Sequence, residues 1–230
     1  MQFAWLGHAA VHLKTNRFDI LLDPFLSGNP VAPNGYAETL EKLDFIVLTH
    51  GHSDHIGDTV ALARRYDCTV IAMFELCQFL AAQGCERFEP MNLGGTVEVD
   101  GVRFTMVHAL HSSAIIEDGG RPLTMGDPAG FVIKNGGRSI YHMGDTDIFS
   151  DMALIHRLHA PDTVFVPIGD RFTMGPETAA MAINEFFEPT YVVPVHWGTF
   201  PLLTGTPEVF APMVQKGQVL LPKPGELVTI

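Results

Sequence analysis

The segment LTHGHSDHIGD, Leu48 to Asp58, most constrains what this chain can fold into. It begins as the end of an apolar, strand-length run, Asp44–Thr49, and packs three histidines and two aspartates into the residues that follow. In extended backbone, positions i and i+2 face the same way, so His50 and His52 can reach one ion. Asp54 and His55 come where the chain turns towards a helix and can address a second ion. Gly51 and Gly57 relieve backbone crowding around such a turn. Two ions about 3.5–4 Å apart clamp an attacking and a leaving oxygen, the arrangement of many hydrolases. The competing reading is a polar surface cluster, but H-x-H-x-D-H satisfies metal-ligand spacing and has no other evident use.

Such ions need further ligands from distant segments. Among the 11 histidines, His111 in VHALHSS and His196 in VVPVHWG follow apolar runs, as His50 does. Asp145 in YHMGDTD occupies the same kind of place before a turn. Taken alone, each reads equally as a loop histidine or a helix-capping aspartate. Imidazole and carboxylate together suit zinc, manganese, iron or nickel, so the donor set does not select the metal.

Strand-length runs at Met1–Leu6, Ala10–Lys14 and Phe18–Leu22 open the chain, with a hairpin turn at Thr15-Asn16-Arg17. A strand at Thr69–Met73, helices at Asp58–Tyr66 (Asp58 as N-cap) and Phe74–Ala82, and a hairpin over Thr96–Val107 follow. After a polar loop, Ser112 to Pro128, a similar rhythm returns. A hairpin over Phe131–His142 precedes helices at Phe149–Leu158 and Pro176–Phe187, and these alternate with strands Thr163–Pro167 and Tyr191–Pro194. Strands Gln218–Leu221 and Leu227–Ile230 end the chain. One hairpin ends in LLDP and the other in HMGD, which suggests two similar halves with their strand ends brought to one edge.

With 47% hydrophobic and 17% charged residues the chain reads as globular. A formal charge of −12 and no Lys/Arg block disfavour nucleic acid and favour a small-molecule substrate. No apolar run is long enough to span a bilayer and no secretory leader is visible. The three cysteines, Cys68, Cys77 and Cys85, lack C-x-x-C spacing and suit a reducing cytosol, which gives the expectation of a cytoplasmic protein.

THGHSDHIGD resembles the signature of the metallo-β-lactamase superfamily, and LLDPF, ALHSS, YHMGDTD, GDRFTMGP and PVHWGTFP resemble its later motifs in order and character. The nearest likeness is to bacterial metal-dependent hydrolases related to the L-ascorbate-6-phosphate lactonase branch. The resemblance covers essentially the whole chain. It implies an α/β, four-layer αββα sandwich of two similar halves, forming one domain over residues 1–230 with the site at the open edge of its sheets. It further implies two divalent metal ions (zinc, or manganese, iron or nickel). His50, His52 and His111 would hold the first, Asp54, His55 and His196 the second, and Asp145 would bridge them. His111 is preferred to His108 because it directly precedes Ser112-Ser113, the family's small polar pair. Asp23 matches an aspartate that braces the histidine loop, and His142 is expected to support the ligands without binding metal. His8 matches a histidine near the site mouth that would hydrogen-bond substrate or act as general acid.

The implied reaction is hydrolysis, in which a hydroxide bridging the two ions attacks an ester, lactone or phosphoester and Asp54 serves as proton acceptor. His52 and His55 depart from oxygen-reducing diiron members and from the best-known lactamases, respectively. A non-catalytic, metal-stabilised binding module is the alternative. The segment Gly169–Gly175 is expected to overhang the site, with Arg171 and Thr173 as substrate contacts. Relatives in this family often form homo-oligomers.

Overall fold

A computed structural model describes every residue, Met1–Ile230. The strands are β1 (Gln2–Trp5), β2 (Val11–Lys14), β3 (Asp19–Leu22), β4 (Phe45–Val47), β5 (Thr69–Met73), β6 (Phe88–Met91), β7 (Thr96–Val99), β8 (Val102–His108), β9 (Ala114–Ile116), β10 (Pro122–Thr124), β11 (Ala129–Asn135), β12 (Arg138–His142), β13 (Thr163–Pro167), β14 (Tyr191–Val195), β15 (Gln218–Val219) and β16 (Val228–Thr229). The helices are α1 (Tyr36–Thr39), α2 (Ser53–Ile56), α3 (Thr59–Tyr66), α4 (Phe74–Ala82), α5 (Met152–His159), α6 (Pro176–Phe186) and α7 (Pro207–Phe210).

Two seven-stranded sheets result, ordered β16-β1-β2-β3-β4-β5-β6 and β15-β14-β13-β12-β11-β8-β7. The first has antiparallel pairings from β16 through β3 and parallel ones from β3 through β6. The second has the same pattern, antiparallel from β7 through β12 and parallel from β12 through β15. Parallel neighbours need a crossover connection. Helices α1 to α4 lie in these connections in the first half and α5 to α7 in the second, which gives the expected two-half architecture.

Alternation along the strands shows how the layers stack. On β11, Phe131 and Ile133 join the core between the sheets, whereas Val132 joins the core beneath α5, α6 and α7. Successive strand residues point to opposite faces, so this sheet is covered on both sides. The sheets meet through aromatic edges: Phe3 against Phe165 at 5.1 Å and Phe45 against Phe104 at 5.3 Å between ring centres. Leu62, Leu76, Cys77 and Leu80 of α3 and α4 cover the outer face of the first sheet.

Several details differ from the sequence reading. The loop from Ser112 carries the small β9–β10 hairpin, closed by the Glu117 N–H donating to Arg121 O at 2.9 Å. The edge strand β6 contains Pro90 and weak alternation, so it left no clear pattern. The two C-terminal strands are shorter than expected and finish opposite sheets, β15 beside β14 and β16 beside β1. Asp58 sits at the N-cap of α3 but makes no capping bond. Its carboxylate instead accepts the Leu26 and Ser27 N–H groups at 2.9 and 2.7 Å, fastening the loop after β3 to the histidine segment. No helix is long and apolar enough to cross a membrane.

Candidate metal centre

The carboxyl-terminal ends of β4, β8, β12 and β14 converge at one edge and carry His50, His111, Asp145 and His196. Leu48 still pairs with β5 (its N–H donates to Ile71 O, 3.0 Å), and Thr49 O accepts the Ala129 N–H from the other sheet at 2.9 Å. His50 therefore leaves a backbone pinned to both halves. Beyond it the chain needs glycine. A Cβ on Gly51 would run into Met125, and Gly57 combines φ +44 with the Pro24 carbonyl lying where a Cβ would be.

The expected first set, His50, His52 and His111, has its donor atoms within 4.8 Å of one another. Asp54, His55 and His196 also come together within that distance, and His8 joins them. Between the two sets lies Asp145. Its Oδ2 is 3.0 Å from His196 Nε2, 3.3 Å from His55 Nε2, 3.6 Å from His111 Nε2 and 4.0 Å from His50 Nε2. His108 is turned away, its ring edge-on to Phe149 at 5.2 Å.

The supporting hydrogen bonds fix which nitrogen of each imidazole carries a proton. Asp23 accepts from the Thr49 N–H (2.8 Å) and the Thr49 hydroxyl (2.7 Å), and from His55 Nδ1–H (2.8 Å). Having given its only proton to Asp23, the Thr49 oxygen can only accept from His50 Nδ1–H, at 3.0 Å. His50 and His55 thus each have Nδ1 engaged and turn Nε2 towards the centre of the cluster, 2.9 Å from His52 Nδ1 in the one and 3.3 Å from Asp145 Oδ2 in the other. A ligand's second nitrogen tied in this way sets tautomer and ring orientation. His142 donates Nε2–H to Ala9 O (2.9 Å) and accepts the Gly144 N–H on Nδ1 (3.2 Å), which shapes the turn that presents Asp145. The Ser113 hydroxyl accepts the Gly51 N–H at 3.0 Å and latches the His111 segment to the histidine loop.

His8 departs from its expected place at the mouth. It is fully buried behind Asp54, with Nε2 3.1 Å from Asp54 Oδ2 and Nδ1 3.0 Å from the Thr199 hydroxyl. A carboxylate only accepts, so His8 donates Nε2–H to Asp54 and takes the Thr199 proton on Nδ1. Its carbonyl accepts both Trp5 Nε1–H (2.9 Å) and the His196 N–H (2.8 Å), so the turns carrying His8 and His196, both at positive φ, brace each other.

Burial governs the charges. It pushes His8 down to about 4, the His8–Asp54 bond offsetting only part of the shift. Burial also lowers His50, His52 and His111. His55 goes the other way: burial opposes its charge, but the Asp145 and Asp23 carboxylates outweigh that and hold it well above the ordinary histidine range. Burial would raise Asp145, yet His196 and His55 hold it well below the usual carboxylate value. Asp54 is depressed as well, because the His8 bond and His55 overcome its desolvation.

Whether this set fits a cation can be judged from its atoms. His55 Nε2, Asp145 Oδ1 and His196 Nδ1 are buried without a hydrogen-bond partner, an arrangement that costs free energy unless something else binds there. No lysine or arginine lines the adjoining cavity to neutralise Asp54 and Asp145. Mixed imidazole and carboxylate donors suit divalent ions.

That cavity, about 320 Å³, is lined by His52, Asp54, His111, Ser112, Asp145 and His196 together with Phe172, Phe200 and Leu203. Arg171 and Thr173 do not line it. The Arg171 guanidinium lies over the Phe172 ring at 5.7 Å, and the Thr173 hydroxyl donates to Met174 O at 3.3 Å. The expected loop does reach the site, but through Phe172. Thr49, Ser113, Thr199 and Phe200 were also missed; Thr49 and Thr199 stand close to ligands in the sequence, but nothing there shows which way they point.

The same fold appears in known proteins. The β-lactamase superfamily domain matches residues 19–197. The chain belongs to that superfamily and, within it, to the metal-dependent hydrolases grouped as UPF0173. A member of that group from Azorhizobium caulinodans is 48% identical over 234 residues, covering 98% of both chains. One from Methylobacterium nodulans is 43% identical over 236 residues and covers 100% of both. Among solved structures, Igni18, a metallo hydrolase from the archaeon Ignicoccus hospitalis, superposes with a TM-score of 0.88 at 32% identity, covering 99% of this chain and 97% of that one.

Asp23→Asn, which removes one acceptor from this brace, is expected to weaken zinc binding about 10–100-fold in a chelator-competition titration while the protein stays folded; wild-type affinity would show that the brace does not orient the ligands. Metal uptake should also release a proton. Asp145 and Asp23 favour the protonated form of His55, and an ion bound there must displace that proton. Zinc added at pH 7 to weakly buffered protein is expected to liberate about one proton per chain from His55, and affinity should fall as pH falls. Uptake without proton release would contradict the His55 assignment.

Proposed function

We propose that this chain is a metal-dependent hydrolase that holds two divalent ions about Asp145 and cleaves an ester, lactone or phosphoester bond of a small molecule. The observation that carries the reading is the placement of four imidazole nitrogens, from His50, His55, His111 and His196, around the single oxygen Asp145 Oδ2. In this reading His50, His52 and His111 would hold one ion and Asp54, His55 and His196 the other, with Asp145 available to both. Divalent ions at such a site generate a nucleophile from water near neutral pH and polarise the bond under attack.

The protein's own groups supply the rest. Asp54 lines the cavity, so its carboxylate is placed to accept the proton that water gives up. The Thr199–His8 pair behind it fixes the rotamer of that carboxylate. His8 has both ring nitrogens engaged and no exposed surface, so its part is to position Asp54 rather than to meet substrate. The alternative of a purely structural metal site is disfavoured by geometry. Structural sites are closed, whereas His52, Asp54 and His111 all face an open cavity.

His52→Ala tests this directly. Bound metal, measured by elemental analysis, should fall, and turnover of neutral esters and lactones should drop by more than the roughly 10–100-fold typical of losing a ligand's supporting partner. Chelation of the wild-type protein should abolish turnover without unfolding it. Unchanged metal content and unchanged turnover in His52→Ala would refute the assignment.

A further inference from the structure

Apart from the proposed metal ligands and Ser112, the cavity lining is apolar and holds no lysine or arginine. Phe172 is 51% exposed and Phe200 36% exposed, and both line the cavity with the buried Leu203. Large aromatic side chains left in water at a cavity mouth mark a place where an apolar group binds. They are not loosely held. Phe200 packs edge-on to His8 at 5.4 Å and nearly parallel to Phe25 at 6.3 Å. Phe172 is presented by two successive residues at positive φ, Asp170 (65°) and Arg171 (55°), a conformation unfavourable for L-residues. Hydrogen bonds sustain it: Met174 N–H donates to Thr146 O (3.1 Å), Asp170 N–H to Met174 O (3.0 Å) and the Thr204 hydroxyl to Asp170 Oδ2 (3.2 Å). The last of these joins the Phe172 loop to the loop carrying Phe200 and Leu203.

The cations lie elsewhere. Arg103, Lys134 and Arg138 gather around a separate cavity beside the β11–β12 turn. Arg171 does not line the cavity, and its guanidinium lies over the Phe172 ring. Away from the metal centre, a phosphate or carboxylate on the substrate would meet phenyl rings and find no lysine or arginine in the cavity lining to pair with.

We infer that the substrate is a small neutral ester or lactone bearing an aryl or branched alkyl group next to the acyl C–O bond, with Phe172 and Phe200 setting that preference. This rests on the hydrolase reading above. The cavity's 320 Å³ is near the lower end of ligand sites, about 300–1,000 Å³, and suits one such group beside the scissile bond. In the reaction, water's oxygen bonds the carbonyl carbon and the acyl C–O bond breaks. One water proton, taken up by Asp54, passes to the leaving oxygen, and acid and alcohol result.

The test uses the metal-loaded protein with γ-phenyl-γ-butyrolactone, γ-butyrolactone, phenyl acetate and 6-phosphogluconolactone. The phenyl-substituted lactone is expected to exceed the unsubstituted one in kcat/KM by about tenfold or more, and the phosphorylated lactone to be the poorest. Phe172→Ala should cut the phenyl-to-unsubstituted ratio about tenfold, chiefly through KM, whereas Phe172→Leu should keep most of it. Phe172 is half exposed, so its replacement leaves the core intact, and metal content in each variant checks the ligand set. Best turnover on the phosphorylated lactone, or an unchanged ratio in both Phe172→Ala and Phe200→Ala, would overturn this inference and leave the hydrolase reading standing. No turnover on any of the four probes would count against the hydrolase reading itself.

Discussion

The carboxylate of Asp23 organises the metal-centre edge. Fully buried, it accepts the Thr49 N–H, the Thr49 hydroxyl and His55 Nδ1–H, so one side chain from the end of β3 dictates the conformation of the segment leaving β4. Through Thr49 it also fixes the tautomer of His50, which it does not touch. A buried carboxylate is costly unless its oxygens are satisfied, and three donors on two oxygens satisfy it. The arrangement works in both directions: the histidine segment satisfies the buried Asp23, and Asp23 fixes the orientation of its imidazoles.

The site lies where it does because the two sheets repeat one pairing pattern. In each half antiparallel strands give way to parallel ones, and the parallel strands end at a common edge. Carboxyl ends of parallel strands are where α/β folds bind ligands, since the loops there diverge and leave a crevice. Asp23 and Asp145 follow equivalent strands of the two halves, β3 and β12. One braces the imidazoles from behind, while the other stands among them. The Trp5 and Trp197 rings, stacked at 4.9 Å, join the halves close to this edge.

Much of this was legible in the sequence where chemistry and position coincide. H-x-H-x-D-H follows an apolar run, and His111, Asp145 and His196 stand at comparable strand ends, so the donor set emerged with few alternatives. The strands and long helices followed from apolar periodicity, Thr69–Met73 and Phe74–Ala82 to the residue. What escaped were features that depend on direction rather than residue type. His8 stands after Gly7 in a turn that folds it inward, and nothing in WLGHAAVHL shows whether it faces the mouth or the interior. Asp58 has the sequence of a capping residue but serves the loop from β3. In GDRFTMGP the charged Arg171 drew attention, yet the left-handed backbone at Asp170 and Arg171 sends the neighbouring phenyl ring to the cavity.

Anomalous diffraction from crystals of the metal-loaded protein, recorded at the absorption edge of the bound metal, tests most directly whether two ions share Asp145. Two anomalous peaks flanking that carboxylate are expected, one against His50, His52 and His111 and the other against Asp54, His55 and His196. A single peak, or peaks that leave Asp145 without a metal neighbour, would contradict it.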